Sequence, residues 1–177
     1  MTAGARRRAL LAALAATALR PTAATATAGA SADAFDFIAL GDMPYGSDLS
    51  AGPIYRALID RINGLGLPFA IHVGDFKDGT AACSDDAYQR QWQHFQRFAA
   101  ALVYTPGDND WLDCQRRGDD PLERLQALRR RFFATPQSLG GRPVTLQRQG
   151  LRDAAHAPYV ENQRWLHRGV VFATVHT

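Results

Sequence analysis

The chain has 177 residues, and with 46% hydrophobic residues it holds enough apolar material to bury the core of one domain. Its 20 basic and 17 acidic residues form no basic stripe with interleaved aromatic residues, so the composition argues against a nucleic-acid-binding protein. No repeat or low-complexity segment follows residue 32.

The first 32 residues have the pattern of an export signal. Three arginines at 6–8 precede an uncharged apolar run of eleven residues at 9–19, and small residues at 28–32 offer cleavage sites. A membrane-spanning helix needs about 20 apolar residues, so this run is too short to be an anchor. We therefore predict a signal peptide at 1–32, of the general or the twin-arginine type. The mature protein should be periplasmic or extracellular and have no transmembrane segment.

Removal of the signal changes the charge balance of the chain. Residues 1–32 contain four arginines and no acidic residue, so 16 basic and 17 acidic residues remain in 33–177. We predict that 33–177 form a single domain that is close to neutral, and that the net positive charge of the whole chain belongs to the signal.

Three short apolar runs, at 35–40, 68–73 and 101–105, predict buried strands. Gly and Pro bound these runs, as is typical of parallel strands that are covered on both faces. A further run at 169–175 predicts another buried strand, and residues 144–146 predict a short one. Because the chain ends two residues after the run at 169–175, we expect it to be truncated at its C-terminus.

Apolar residues at helical spacing lie between the predicted strands. The positions that define three helices are Ile54, Leu58, Ile62 and Leu65; Tyr88, Trp92 and Phe95; and Leu122, Leu125, Phe132 and Phe133. Asp120 is predicted to cap the third helix, with Pro121 in the first turn and Glu123 completing a capping box. Alternating strands and helices predict right-handed crossovers, and hence an α/β fold with a parallel β-α-β core.

Each of the three predicted parallel strands runs into a Gly-Asp turn. The aspartates are Asp42, Asp75 and Asp108, and successive ones are 33 residues apart. A single Gly-Asp turn is ordinary, but three at equal spacing on consecutive strands are not. Ligands bind beyond the carboxyl ends of parallel strands, so these carboxylates should converge there, and a divalent cation neutralises such a cluster best.

These turns resemble the motifs of the calcineurin-like metallophosphoesterases, which are Asp-x-His, Gly-Asp-x-x-Asp and Gly-Asn-His-Asp/Glu, each after a parallel strand. Residues 74–78 match the second motif in full. Residues 41–44 keep the aspartate of the first motif, but Pro44 replaces its histidine. In residues 107–110 an aspartate stands in the asparagine position of the third motif, and Asn109 stands in its histidine position.

The resemblance, which spans residues 35–177, implies the fold and the activity of the family. The fold would be a metallophosphoesterase-type α/β sandwich that is incomplete at the C-terminus. The activity would be hydrolysis of small or macromolecular phosphate esters with two divalent metal ions, such as manganese, iron or zinc. Asp42 would bind the first metal, Asp75 would bridge both, and Asp108 would bind the second. A slip of one residue would instead make Asn109 the ligand.

The family places its catalytic histidine where this chain has Asn109. Asparagine donates a hydrogen bond but does not transfer a proton, so Asn109 cannot act as a general acid. Asp78 and Asp110 lie where they would support the metal ligands. The rival interpretation is an exported, non-catalytic protein whose acidic rim binds a cation. Pro44 and Asn109 favour this rival, the full match at 74–78 favours the enzyme, and the expected truncation leaves the activity of this chain open.

The two cysteines of the chain, Cys83 and Cys114, follow the second and third predicted strands and so lie around the same rim. Export permits a disulfide, and we predict that these two residues form one. A metal site with two thiolates is not favoured, because the surrounding ligands are hard oxygen atoms.

The remaining candidate residues carry weaker signals. Lys77 is either a phosphate ligand or an exposed loop residue. His72 is predicted to pack within a strand, and His94 to lie on the solvated face of a helix. His176 ends a strand, as a metal ligand would, but the histidine ligands of the family lie on later strands, so we do not favour it.

Overall fold

The computed structural model describes residues 34–47 and 49–176. The predicted signal peptide at 1–32 lies outside the described residues. Residues Asp33–Thr177 form one compact unit. Within the described ranges, no helix is both long enough and apolar enough to cross a membrane.

The first sheet has four strands in the order β1-β2-β3-β4. These strands are β1 (Ile38–Leu40), β2 (Phe69–His72), β3 (Ala101–Tyr104) and β4 (Leu139–Gly140). The first three pair in parallel, with Ile71 opposite Ala39 on one side and Val103 on the other, whereas β4 is antiparallel to β3. The three predicted parallel strands are confirmed, and their carboxyl ends lie at one edge of the sheet.

Three helices connect or flank these strands. They are α1 (Gly52–Gly64), α2 (Asp85–Gln96) and α3 (Pro121–Phe132). The Asp120 carboxylate caps α3 as predicted, because it accepts hydrogen bonds from the backbone N–H groups of Leu122 and Glu123. The Glu123 carboxylate accepts from Arg124 Nε, so it pairs with a neighbouring guanidinium.

The buried face of α1 differs from the predicted one. Tyr55, Ile59 and Ile62 are at most 5% exposed, whereas Ile54 is 73% and Leu65 is 61% exposed. Tyr55, Ile59 and Ile62 also have helical spacing, and the ring of Tyr55 supplies more apolar area than its hydroxyl suggests in a hydrophobicity pattern. Ile54 and Leu65, which helped to predict this helix from the sequence, therefore lie outside the core.

The first sheet is covered on one face by the helices and on the other by the second sheet. Successive residues of a strand point to opposite faces, so each strand contributes to both apolar clusters. Ala70, Leu102 and Tyr104 belong to the apolar cluster that also contains the buried residues of the three helices. Phe69 and Val103 belong to a second cluster, formed with residues of the second sheet. The layers are thus helices, a mixed sheet, and a second sheet, which makes this a mixed α/β fold.

An aromatic cluster anchors the site end of the helical core. Phe76, Tyr88, Phe95, Tyr104 and Phe132 have ring centroids 5.2 to 6.3 Å apart. Pairs of this kind stabilise a fold by about 1 kcal/mol beyond the burial of their area. Because Phe76 directly follows Asp75, this packing holds the second Gly-Asp turn against the core.

Two histidines are buried in the helical core. His72 is fully buried, which confirms its predicted packing role. His94 is only 8% exposed, and its ring packs edge-on against Tyr55 at 5.4 Å. The prediction that His94 lies on a solvated face is therefore wrong, because the α1–α2 contact covers that side of α2.

The second sheet is antiparallel, with strands β5 (Gln147–Arg148), β6 (Gln163–His167) and β7 (Val170–Thr174) in that order. Arg168 and Gly169 both have positive φ, which a tight hairpin turn between β6 and β7 requires. β7 confirms a strand at 169–175, but not a buried one, since Val170 and Val171 are 46% and 63% exposed.

The short strand predicted at 144–146 is wrong in its position. Thr145 forms only an isolated bridge with Gln137, and regular pairing begins at Gln147. Leu146 is buried between the two sheets, so its apolar character reflects packing rather than the centre of a strand.

Candidate functional site

The first two Gly-Asp turns have the same unusual backbone. Asp42 has a φ of 56° and Asp75 a φ of 54°, and they lie two and three residues past the ends of adjacent parallel strands. The left-handed region costs an L-residue other than glycine about 1 kcal/mol or more. The Asp42 N–H donates to the Gly74 carbonyl at 3.1 Å, which ties the two turns together.

Two glycines let the second and third turns approach each other. A Cβ on Gly74 would lie 2.1 Å from the Gly107 nitrogen, and a Cβ on Gly107 would lie 2.1 Å from Asp75 Oδ1. Neither distance is possible for real atoms, so both positions require glycine. The second turn and the Asp75 carboxylate thus contact the backbone of the third turn.

Asp110 connects these turns through its carboxylate, which is fully buried. Its oxygens accept from the N–H groups of Asp75 at 3.0 Å, Phe76 at 2.9 Å and Gly107 at 3.0 Å, and from the Tyr104 hydroxyl at 2.8 Å. Burial raises the pKa of Asp110 to about 7, although these hydrogen bonds oppose the shift. Asp110 therefore lies where the predicted supporting residue should lie.

The backbone N–H of Asn109 contacts two carboxylates. Its N–H donates to Asp75 Oδ1 at 3.1 Å and to Asp108 Oδ1 at 3.0 Å. Burial raises the pKa of Asp75, and the charges of Asp108, Asp42 and Asp113 raise it further, against the effect of the Asn109 hydrogen bond. The three predicted metal ligands are thus close enough to repel one another.

The described residues nevertheless contain no group of three or more His, Cys, Asp or Glu side chains placed to hold one metal ion. Asp42, Asp75 and Asp108 share an edge and an electrostatic field, but they do not form a closed set of ligands around a single point.

Tyr45 joins the first turn to the third, and the sequence analysis missed it. Its hydroxyl donates to Asp42 Oδ1 at 3.3 Å and accepts from Asn109 Nδ2 at 3.1 Å. Burial raises its pKa, and so do the charges of Asp75 and Asp42, so the hydroxyl stays protonated at neutral pH. The only sequence signal was its place three residues after Asp42.

Asp78 and Lys77 end the second motif without contacting the other carboxylates directly. Asp78 Oδ1 accepts from the Thr80 N–H at 2.9 Å and from its hydroxyl at 2.6 Å, so it stabilises its own turn. Lys77 is only 7% exposed. Of its two interpretations from the sequence, the exposed loop residue is therefore wrong. Burial lowers the pKa of Lys77, against the opposing effect of nearby carboxylates.

The predicted disulfide between Cys83 and Cys114 is present, with Cα atoms 5.7 Å apart. It joins the loop before α2 to the short 3₁₀ helix Leu112–Arg117, which follows the third turn. On the same side, a Cβ on Gly79 would lie 2.3 Å from Asp113 Oδ2 and 3.0 Å from Asn109 Oδ1. The loop after the second motif therefore passes directly beside the third.

His176 is held in a hydrogen-bond network with Trp111 and Glu161. Its Nδ1 lies 3.0 Å from Glu161 Oε1, and Trp111 Nε1 donates to its Nε2 at 3.0 Å. The Trp111 indole can only donate, so Nε2 of His176 accepts. The Nδ1 atom of His176 is therefore protonated and donates a hydrogen bond to Glu161. Glu161 is fully buried and also pairs with Arg129. Both ring nitrogens of His176 thus have protein partners.

Comparison with protein-family models, with curated proteins and with solved structures found no match for this chain. The function is therefore inferred from the geometry and the motifs alone.

Proposed function

We propose that this chain hydrolyses phosphate esters with the help of divalent cations at the edge where Asp42, Asp75 and Asp108 end their strands. The observation that carries the proposal is the matching left-handed conformation of Asp42 and Asp75. Strained backbone is concentrated at functional sites, and here it occurs at the ends of two adjacent strands.

The donor set fits a hard divalent cation in part. Carboxylate and amide oxygens suit ions such as manganese or magnesium better than they suit zinc, which prefers nitrogen and sulfur. A cation would also relieve the repulsion that raises the pKa of Asp75. Since no three side chains among the described residues converge on one point, an ion here would take its remaining ligands from water or substrate. Such an ion polarises a phosphoryl group and lowers the pKa of bound water.

The neutral donors of the site would orient the substrate. Asn109 offers its side-chain amide, and the Tyr45 hydroxyl, which stays protonated, holds that amide and Asp42 in place. These groups lie between the first and third turns, where phosphoryl oxygens would contact the edge. Asp110 fixes the backbone of Asp75 and so keeps its carboxylate in place. The full match of residues 74–78 to the second metallophosphoesterase motif supports the same assignment.

The proposal is tested by the hydrolysis of an aryl phosphate by the purified chain. Turnover should appear when manganese is added, saturate with manganese, and disappear in excess EDTA. Turnover that is equal with and without EDTA would contradict the proposal.

A second candidate function is favoured by two observations. No complete set of three ligands lies within the described residues, and asparagine occupies the position of the family's proton carrier. Both fit an exported protein that binds a cation at its acidic rim without chemistry. This candidate predicts manganese binding by calorimetry together with no turnover.

A further inference from the structure

The end of the second sheet contacts the third turn through His176. β7 ends at Thr174, and His176 follows two residues later. Trp111, which directly follows Asp110, donates from its indole Nε1 to His176 Nε2 at 3.0 Å. The two rings meet edge to face, with centroids 5.5 Å apart. A directed hydrogen bond between side chains thus joins the second sheet to the third turn.

Trp111 belongs to the backbone that shapes the third turn. Its N–H donates to the Asp108 carbonyl at 3.3 Å, and its carbonyl accepts from the Cys114 N–H at 3.3 Å. Trp111 therefore closes the short 3₁₀ turn Asp108–Asp110 and precedes the 3₁₀ helix Leu112–Arg117. Because the backbone of Trp111 is bonded on both sides, a contact that holds the indole also holds the third turn.

A buried ion pair orients the ring of His176. Nδ1 of His176 donates to Glu161 Oε1 at 3.0 Å, and Glu161 also accepts from Arg129 Nε at 3.0 Å. Burial raises the pKa of Glu161, but its hydrogen bonds with His176 and Arg129 outweigh that effect and lower the pKa to about 2. Glu161 is therefore ionised at neutral pH. A carboxylate that accepts from one ring nitrogen fixes the tautomer, so the lone pair of Nε2 faces the indole.

This arrangement is better suited to fixing a position than to adding stability. Replacement of a buried ion pair by apolar side chains of similar volume is often neutral or stabilising. Arg129 lies on α3, Glu161 precedes β6 and His176 follows β7, so the ion pair ties three parts of the fold to one imidazole. That imidazole contacts the segment that carries Asp108 and Asn109, on which the proposed function depends.

We propose that His176 is a positioning residue of the site, which holds the third turn against the second through Trp111. One contact between these two turns is the hydrogen bond from the Asn109 N–H to Asp75 Oδ1 at 3.1 Å. Without its bond to His176 the indole is released, and the third turn should move away from Asp75. The effect on hydrolysis rests on the proposed function, whereas the effect on the turn does not.

The experiment compares two substitutions of His176 in the full chain. His176→Phe keeps a ring but cannot accept a hydrogen bond, whereas His176→Gln offers a carbonyl to Trp111 and an amide N–H to Glu161. NMR of the metal-free protein in EDTA follows the backbone amide of Asn109. We expect its proton signal to move upfield in His176→Phe, because its hydrogen bond to Asp75 lengthens, and to stay in place in His176→Gln.

Manganese-dependent hydrolysis of an aryl phosphate gives the second readout, at a temperature where thermal melts show each variant to be folded. His176→Phe should lower kcat/KM about tenfold, since a small misplacement of reacting groups is enough for such a loss, and His176→Gln should stay within about twofold of the wild type. Trp111→Phe should lose as much as His176→Phe, and the double variant no more than either, because both break the same bond. His156→Phe is the matched control, since it removes a partly exposed imidazole that pairs with Asp153.

An Asn109 signal that is unchanged in His176→Phe would overturn the proposal. In an active chain, equal kcat/KM in folded His176→Phe and His176→Gln would overturn it as well. Trp111→Phe decides the question by the same two readouts if His176→Phe does not fold. A shifted Asn109 signal in His176→Phe, together with no manganese-dependent turnover in the wild type, would contradict the proposed function and leave the positioning role standing.

Discussion

The side chain of Asn109 donates a hydrogen bond to the Tyr45 hydroxyl at 3.1 Å and thereby joins the third turn of the site to the first. The same hydroxyl donates to Asp42 at 3.3 Å. Asn109 occupies the position where a histidine would supply a proton in the resembled family, and here it positions a tyrosine instead. Tyr45 is therefore the bridge between the first and third turns of the site.

Tyr45→Phe should lower kcat for an aryl phosphate about tenfold, because the hydroxyl that holds Asp42 and Asn109 in place is lost. Asn109→Ala should have a similar or milder effect, since Asn109 transfers no proton. The control is Tyr159→Phe, which removes the hydroxyl of a tyrosine that is 45% exposed and outside the edge. Steady-state kinetics in saturating manganese check the prediction. An unchanged kcat in Tyr45→Phe would contradict a role for the hydroxyl.

Asp110→Asn should destabilise the fold by about 3 kcal/mol, because the new amide nitrogen faces N–H and O–H donors that need an acceptor. Asp108→Asn is the matched substitution at an exposed position two residues away and should stay within about 0.5 kcal/mol of the wild type. Urea denaturation at neutral pH gives both free energies of unfolding. Equal stabilities for the two variants would show that Asp110 does not organise the turns.

The stability of the fold should depend on pH through His72. Its Nδ1 accepts from the Gly74 N–H at 3.2 Å and its Nε2 donates to the Met43 carbonyl at 3.2 Å, which uses both nitrogens of the neutral ring. Burial lowers the pKa of His72 from 6.5 to about 4, against the effects of Met43 and Asp42. A lowered pKa means that the unfolded chain binds the proton more tightly. The contribution of neutral His72 to the free energy of unfolding is therefore complete above pH 6.5 and is lost as the pH falls to about 4.

The measured quantity is the difference in unfolding free energy between the wild type and His72→Gln, which keeps a donor and an acceptor but does not titrate. As the pH falls from 7 to 4, the wild type should lose up to about 3 kcal/mol of unfolding free energy relative to His72→Gln. The comparison cancels Asp110, whose raised pKa acts in the opposite direction over the same range. A difference that is constant with pH would contradict the buried neutral state of His72.

Reduction of the Cys83–Cys114 disulfide should lower the free energy of unfolding by about 3–4 kcal/mol in the chain-entropy model, because the closed loop spans a sequence separation of 31 residues. Thiol titration of the denatured, unreduced protein should find no free thiol. The double variant Cys83→Ala with Cys114→Ala should unfold at the lower urea concentration of the reduced protein. Two titratable thiols in the unreduced chain would contradict this prediction.

The sequence predicted the parts of the fold that depend on local pattern. Short apolar runs predicted the three parallel strands, and the structure contains them. The sequence Asp-Pro-x-Glu predicted the Asp120 cap, and the position of both cysteines after neighbouring strands predicted the disulfide; both are present. The second sheet was only partly predictable. β5 is formed by Gln147 and Arg148, whose side chains have no strand pattern, and its pairing with β6 is decided by tertiary contacts.

The positions of the candidate site residues were predicted where a motif marks them, and their contacts were missed where the loops determine them. Asp42 and Asp75 were located correctly at adjacent strand ends because the Gly-Asp turns mark them. The Tyr45–Asn109 bond joins residues 64 positions apart, and no spacing rule predicts such a contact. The burial of Lys77 was also missed, since a lysine in a loop is normally exposed and only the fold of the loop around it shows otherwise.

The central claim is tested most directly by the manganese-dependent hydrolysis of an aryl phosphate by Asp75→Asn beside the wild type. Asp36→Asn serves as the control, since it makes the same change at an exposed position outside the edge. Asp75 lies between the other two turns, so loss of its charge should reduce kcat/KM by about 100-fold or more, while Asp36→Asn keeps wild-type turnover. Near wild-type turnover by folded Asp75→Asn would contradict the account.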